Sequence, residues 1–495
     1  MPVNTQKDEN LALMEPELLK IRTVIKGSPF VKAAKQVLLP SPNEVDKVSN
    51  QATTQYAKYL AGAEFDEYTG QTSTSMIGKL NLDDFTPELD SGINYLIADV
   101  DGDGFSLKGL TESLATNVLA VKWHIAAVDY KGLQGVALEA VSVSDAEKLN
   151  PRSVIKQYAR ESVVKAYFST INGRKQLSFI MLLEVGSRFD QENYKTTVVN
   201  SYLVLALDAD GNYYQQKIVQ DGEGGLTEGE KDHIMVGKEH LKFIPLEIAS
   251  DEEICHELPV ELGFLNPIAD ICLHRYNVSA DYKEALRKFV PTTDVFGMND
   301  NDVEMFEKVN GRTYRAIGQT NVFPTPEITV QTTSTEGSLE SFENYDTSSK
   351  DKIRSMGGVV PEYSTGDTSA TEAMINSVEQ NSVLNPLVSG IENSVKSLIA
   401  YCAMFEGLVS QKNVSEYAAD VKFDMPRDFS KVTPNVDSGR FVIEMVNSRL
   451  MTTEQATKKL IAQGWHEGEL VDIFAEIENI EPDITLPDDA VTPTE

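Results

Sequence analysis

Cysteine is scarce in this chain: Cys255, Cys272 and Cys402 are the only three in 495 residues. Three thiols cannot close a framework of pairs, which excludes a disulfide-stapled scaffold and fits a reducing compartment. Long apolar runs are missing too. No stretch approaches the roughly 18 apolar residues of a membrane-spanning helix. The opening MPVNTQKDEN has no apolar signal core, so neither a membrane-embedded nor a secreted protein is expected. Positive charge is in short supply, with 44 Lys and Arg against 76 Asp and Glu and a net charge of −32. A surface that acidic repels phosphate, so the electrostatic grip of a tight DNA or RNA binder is absent overall. There is no GxSxG elbow and there are only six histidines. The glycine-rich GEGGLTEGEK (222–231) is no phosphate loop, because Gly229 is followed by Glu230 where such a loop needs Lys and then Ser or Thr.

What is present is an ordinary globular balance, 41% hydrophobic and 24% charged residues. The length suits about three domain-sized units or one elongated subunit. Apolar spacing predicts helices around Glu17–Ile25 and over 31–40, where Pro40 and Pro42 end the pattern. A third helix carries Tyr56, Tyr59 and Leu60 on one side and runs into a Gly- and Thr-rich segment. GFSLKGLTESLATNVLAVKW reads as a helix feeding a buried strand, HIAAVDY. From about 135 to 250 the period changes to two, and QGVALEAVSV, SVVKAYFST, KQLSFIMLLEV, TVVNSYLVLALD and YYQQKIV read as antiparallel strands. Asn172-Gly173 and Asp210-Gly211-Asn212 supply hairpin turns between them.

Next comes a long helix over 265–290, with Leu265, Ile268, Ala269, Cys272, Tyr276 and Ala280 as its apolar stripe, drifting to Tyr282, Leu286 and Phe289. Pro291 ends it. Residues 291–335 read as a short strand, a helical stretch DVEMFEKVN, and strands TYRAI and EITVQTT. A second helix stops at Gly357-Gly358, and VVPEYSTGDTSA has loop composition. A long helix over about 371–406 follows, with Pro386 inside it as an expected kink. VKFDMPRDFS reads as a short strand or turn. A helical pair with a Thr452/Gln455 capping box and a short last helix precede an acidic tail. The fold class is α+β.

Candidate chemistry is sparse. Asp99, Asp101, Asp103 and Gly104 resemble the start of a calcium loop, but the position that needs a bidentate carboxylate is Leu110. A capped helix N-terminus is the competing reading. Cys255-His256 and Cys272-x-His274 hold zinc-ligand types, yet residues two apart on a helix face different ways. The helical pair near 441–463 has few cations (Arg440, Arg449, Lys458, Lys459) for a helix-turn-helix, so packing is the expected role. No Asp/Glu pair stands out as acid and base, and no catalytic site, metal or cofactor is expected.

The order of parts is more telling than any motif. Five segments in sequence carry a resemblance: YAKYLAGAEFDEYTGQT, DGDGFSLKGLTESL, NPRSVIKQYARESVVKAYFSTINGRKQLSFIMLLEV, LNPIADICLHRYNVSADYKEALR and VKFDMPRDFS. Over roughly residues 30–465 the chain resembles the portal proteins of tailed bacteriophages. It departs from them in a less Arg- and Pro-rich turn at SVSDAEKLNPRS and an unusually acidic loop at 219–235. The resemblance implies a wing over 1–264, a stem helix over 265–290, a clip over 291–335 and a second stem helix over 336–356. A tunnel loop over 357–370, a kinked helix and wing return over 371–432, a helical crown over 433–480 and an acidic tail over 481–495 complete it.

The function so implied is structural and non-enzymatic. It is a ring of about twelve subunits at one capsid vertex, through which double-stranded DNA passes during packaging and ejection. The expected partners are further copies of the chain, the terminase large subunit, head-completion or tail adaptors, and the major capsid or scaffolding protein. The expected location is the virion, and the host cytoplasm during assembly. Lys350, Lys352 and Arg354 would bracket the channel loop, and Val359, Val360, Pro361, Glu362 and Tyr363 would line it. Phe296, Met305, Phe306, Tyr314 and Phe323 would serve docking at the clip, with ordinary core packing as the alternative. Two other readings remain: a different acidic virion or connector component, and a hydrolase using an Asp/Glu pair.

Overall fold

A computed structural model of the chain describes residues 4–41, 50–80, 87–131, 152–171, 173–190, 194–220, 225–254, 256–289, 292–297, 320–323, 329–333, 340–360 and 370–427, with a few single positions besides. The architecture is mixed, with helices and largely antiparallel sheets in separate runs of the chain.

The N-terminal part is helical: α1 (Glu9–Leu13), α2 (Glu15–Ile25), α3 (Ser28–Ala33), α4 (Asn50–Gly62), α5 (Tyr68–Lys79) and α6 (Leu107–Val121). In α2, Pro16 sits in the first turn, where its missing N–H costs nothing. Leu18, Ile21 and Val24 form its buried stripe. The Gly- and Thr-rich segment after α4 proves to be a helix in its own right. In α5 the small residues Thr69, Thr72 and Ser73 are buried together with Met76, so neighbouring helices approach closely where larger side chains would hold them apart. Their polarity is offset locally, with Thr72 Oγ1 donating to Tyr68 O at 2.7 Å. Ser106 caps α6, its Oγ accepting from Gly109 N at 3.1 Å.

Strand β1 (Trp123–Lys131) follows α6 and lies between β2 (Arg152–Tyr158) and β10 (Leu246–Ser250), both antiparallel to it. Between them the chain forms a five-stranded antiparallel sheet in the order β3 (Val163–Ile171), β4 (Arg174–Asp190), β5 (Lys195–Leu207), β6 (Tyr213–Gln220), β7 (Leu226–His233). A small ribbon, β8 (Met235–Val236) with β9 (Glu239–His240), follows. Strand β7 overturns the expectation of an acidic loop over 219–235. LTEGEKDH has no apolar alternation, yet it pairs with β6 from Tyr214↔His233 to Gln220↔Leu226 around an irregularity. As an edge strand it needs only one neighbour, and its charges stay in water. Strand β2 and a short helix α10 (Val414–Asp420) also went unanticipated. VKFDMPRDFS contributes one isolated bridge, Lys422 to Glu88.

The long helix after the sheets is α7 (Asn266–Phe289). Its expected stripe, Leu265 to Ala280, is buried throughout. Beyond Ala280 the helix leaves the core, and Leu286 is exposed. A three-stranded unit follows, with β11 (Thr292–Phe296) central, parallel to β12 (Thr320–Phe323) and antiparallel to β13 (Thr329–Thr333). Then come α8 (Glu340–Ser355) and α9 (Ala370–Phe405). The main core gathers residues of α2, α5, α6, α7 and α9. A second core lies between the five-stranded sheet, β1, β10 and the end of α9. Glu406 joins the two parts, accepting from Tyr95 Oη at 3.0 Å and from Ser153 N at 2.7 Å.

Candidate functional site

Helices α7 and α8 run antiparallel. His274 Nδ1 meets Tyr345 Oη, Arg275 meets Asp346, and the Tyr282 and Phe342 rings lie 5.4 Å apart. From Arg275 with Ser349 to Tyr282 with Phe342, rising numbers on one helix match falling numbers on the other. Arg275 is the lock of this pair. Its Nε and Nη2 donate to Asp66 Oδ2 at 2.9 and 2.7 Å, and Nη2 also reaches Asp346 Oδ1 at 2.6 Å. Nη1 donates to Asp346 O at 3.0 Å and to Ser349 Oγ. All five N–H groups are used, and the guanidinium lies over the Tyr68 ring. Burial opposes the charge, but the bonds to Asp66 and Asp346 outweigh it and the pKa of Arg275 is raised. Nothing in the spacing of α7 marks Arg275, whose partners are 209 and 71 residues away.

The end of α8 is fixed by chain geometry. Gly357 N donates to Arg354 O at 2.8 Å and Gly358 N to Ile353 O at 2.9 Å, the paired closure of a Schellman motif. Gly357 takes φ +77° there, a position that favours glycine. Val359 N then donates to Thr72 Oγ1 at 2.9 Å, and Val360 packs on the main core. The segment entering the expected tunnel loop is therefore anchored on α5 before the chain reaches 361.

The three expected cations differ from one another. Lys350 pairs with Asp346 at 2.6 Å and Arg354 with Asp351 at 2.9 Å, both along α8 itself. Lys352 is exposed and has no ion-pair partner among the described residues. Asp346 is shared by Lys350 and Arg275; burial works against ionisation, but these two cations hold its carboxyl below the usual range. Pro361, Glu362 and Tyr363 lie outside the described residues, as do Met305, Phe306, Tyr314, the stretches DVEMFEKVN and TYRAI in all but a few positions, and nearly all of the crown and tail. Phe296 is half-buried, in register with Phe323 across the parallel pair. Pro386 lies inside the continuous helix α9, exposed at the rim of a cavity of about 610 Å³ between α9 and β10.

That cavity also holds Glu247, to which Tyr401 Oη donates at 2.6 Å. Burial pushes the Glu247 carboxyl up to about 7 against the pull of its hydroxyl donors. His124 shows the converse. It is buried, its Nδ1 has no hydrogen-bond partner among the described residues, and burial together with nearby Arg22 pushes it down to about 4.

The acidic loop over 99–104 is closed on itself. Asp99 Oδ1 accepts from Gly102 N at 2.7 Å and Gly104 N at 3.1 Å, while its Oδ2 binds Arg152 at 2.5 Å. Asp101 Oδ1 accepts from Asp103 N at 2.8 Å and Phe105 N at 3.1 Å. Leu110, where a calcium loop needs its last ligand, is in the core. A guanidinium stands where a metal ion's charge would be. Cys272 and His274 diverge: the thiol is buried beside Thr69 Oγ1 at 3.4 Å, and the imidazole meets Tyr345. Cys255 lies outside the described residues. Among the described residues no group of three or more His, Cys, Asp or Glu is placed to hold a metal ion, and no helix is long and apolar enough to cross a membrane.

The sequence matches no protein-family model, and no curated protein aligns with it significantly.

Proposed function

We propose that this chain is a subunit of a portal ring. In this reading α7 and α8 are the stem, β11–β13 belong to the clip, the segment after Gly358 enters the tunnel loop, and α9 is the long helix of the wing. The supporting observation is the antiparallel α7–α8 pair. The chain leaves the core along α7, builds a small β unit where α7 finishes, and returns along α8 to the same core. An out-and-back pair of this kind carries a docking unit away from the body at fixed orientation, and Arg275 makes the pair rigid.

The charge of the chain suits a conduit. A wall that held phosphate tightly would stall DNA, whereas a net charge of −32 keeps contacts weak and short-lived. Of the three cations beside the loop, Lys350 and Arg354 are neutralised locally, which leaves Lys352 for transient phosphate contact. The chain does no hydrolysis in this account; the terminase large subunit docks at the clip and supplies it, and adaptors replace it there after packaging. The major capsid or scaffolding protein surrounds the ring at one vertex of the virion, after assembly in the host cytoplasm.

Deletion of 361–366, which spares the anchors at Val359 and Val360, tests the assignment of the loop. End-on electron micrographs should still show closed rings with a central hole, while packaging or retention of DNA fails. Loss of the rings themselves would contradict the loop's place in the channel.

A further inference from the structure

The cavity of about 610 Å³ between α9 and β10 has fixed walls. Gly390 of α9 lies so close to Ser250 O at the end of β10 that a Cβ would have no room. The space beside that contact is therefore held open by close packing. The hairpin end of β3 and β4 adds a third wall through Phe168 and Leu177. Small-molecule sites have volumes of about 300–1,000 Å³, a range that includes this cavity.

Its lining is of two kinds. Leu177, Leu246 and Ile254 are apolar, while Ser389, Asn393 and Ser397 place oxygens along one side of α9 at four-residue steps. A single cation, Lys175, faces four carboxylates, Glu247, Asp251, Glu252 and Glu253. Lys122 neutralises two of the four, reaching Asp251 at 2.9 Å and Glu252 at 3.4 Å. Glu253 is exposed at the rim and has no ion-pair partner among the described residues. Glu247 is held by hydroxyls alone, those of Tyr401 and Ser397 from α9. A carboxyl placed so is favoured neutral until a cation enters beside it.

We propose that this cavity binds an aliphatic diamine or polyamine, with one ammonium on Glu247 and the next on Glu253 at the rim. The chemistry of the lining selects that ligand. Among the described residues no three His, Cys, Asp or Glu are placed to hold a metal ion. A primary ammonium needs three acceptors, which the Glu247 carboxylate and the oxygens of α9 provide. The apolar walls suit the methylenes between two charges. On binding, Glu247 gives its proton to solvent and its carboxylate takes the ammonium. The other titratable or charged groups around it are Tyr401 from α9, Lys175 from β4, and Asp251, Glu252 and Glu253 beyond β10. The inference goes beyond the portal reading and does not rest on it.

Titration calorimetry of the full chain with putrescine, spermidine and n-butylamine tests the proposal, using Glu247→Gln and Glu253→Gln variants that keep the wild-type circular dichroism. Glu247→Gln should weaken putrescine and spermidine at least about tenfold, the loss expected when one partner of an enclosed charge pair is removed. Glu253→Gln should weaken putrescine but leave n-butylamine unchanged. At pH 6 wild-type binding should release nearly one proton, read as a heat that varies with the ionisation enthalpy of the buffer, and Glu247→Gln should show no such release. Equal affinity in the wild type and Glu247→Gln would overturn the proposal, because the amine would then be an ordinary counter-ion of an acidic chain. Displacement of putrescine by magnesium ion at equal concentration, or no binding at millimolar amine, would overturn it as well.

Discussion

Arg275 on α7 stands 2.6 Å from Asp346 on α8, and the same guanidinium holds Asp66 at 2.7 Å. Three segments far apart in sequence meet at one side chain. Removing it leaves Asp66 without this cation and Asp346 with Lys350 alone. Breaking a buried ion pair costs about 3–5 kcal/mol; since Asp66 and Asp346 keep side-chain exposures of 36% and 45%, Arg275→Ala is expected to cost about 2–3 kcal/mol. Arg354→Ala, which removes an exposed pair, should cost under about 0.5 kcal/mol. Chemical denaturation of both variants checks this. Equal losses would show that Arg275 is no lock.

Two glycines should respond differently to a single methyl group. A Cβ on Gly390 would run into Ser250 O, where α9 lies against β10, so Gly390→Ala should cost about 1–3 kcal/mol through overpacking. Gly407 takes φ +77° just past the end of α9 and has open space where a Cβ would sit. Gly407→Ala should therefore cost about 1 kcal/mol, through backbone strain alone. Thermal melts of the pair measure the difference, and an undisturbed Gly390→Ala protein would contradict the close approach of α9 and β10.

His124 gives stability a defined dependence on acid. Its folded pKa, about 4, lies below the ordinary 6.5, so between those values the unfolded chain binds the proton and the native state does not. Stability from this group is complete above pH 6.5 and is lost as pH falls toward 4, about 3 kcal/mol in all. Urea midpoints at pH 7 and pH 4.5 should fall less in His124→Gln than in the wild type. An equal fall would mean that His124 titrates normally in the fold.

Glu247 acts in the opposite sense. Its folded pKa is raised to about 7 from 4.5, so the native state holds a proton that the unfolded chain gives up. Its contribution is fully present below pH 4.5 and fades as pH rises through 7. Glu247→Gln should match the wild type at pH 4.5 and exceed it in urea resistance at pH 8. A variant weaker than wild type at pH 8 would show that the ionised carboxylate is itself favoured in the cavity.

The parts legible in sequence are those whose pattern is local. The α7 stripe from Leu265 to Ala280, the α6 helix behind its Ser106 cap and the strands β3 to β6 all follow from residue period, and all are present. Pattern fails where a neighbour supplies the stability. Strand β7 has no apolar alternation and exists because β6 offers its edge. Helix α5 looks like a linker because its small polar residues serve close packing rather than propensity. The lock at Arg275 was invisible for the same reason, since Asp66 and Asp346 come to it only through the fold. The cations Lys350, Lys352 and Arg354 were legible as a group, but their different degrees of neutralisation were not.

Native mass spectrometry of the purified protein decides whether identical copies of this chain close into a ring. A portal ring gives one dominant species of about twelve chains, with a neighbouring copy number at most beside it. A species that stays at one or two chains across the concentration range would contradict it.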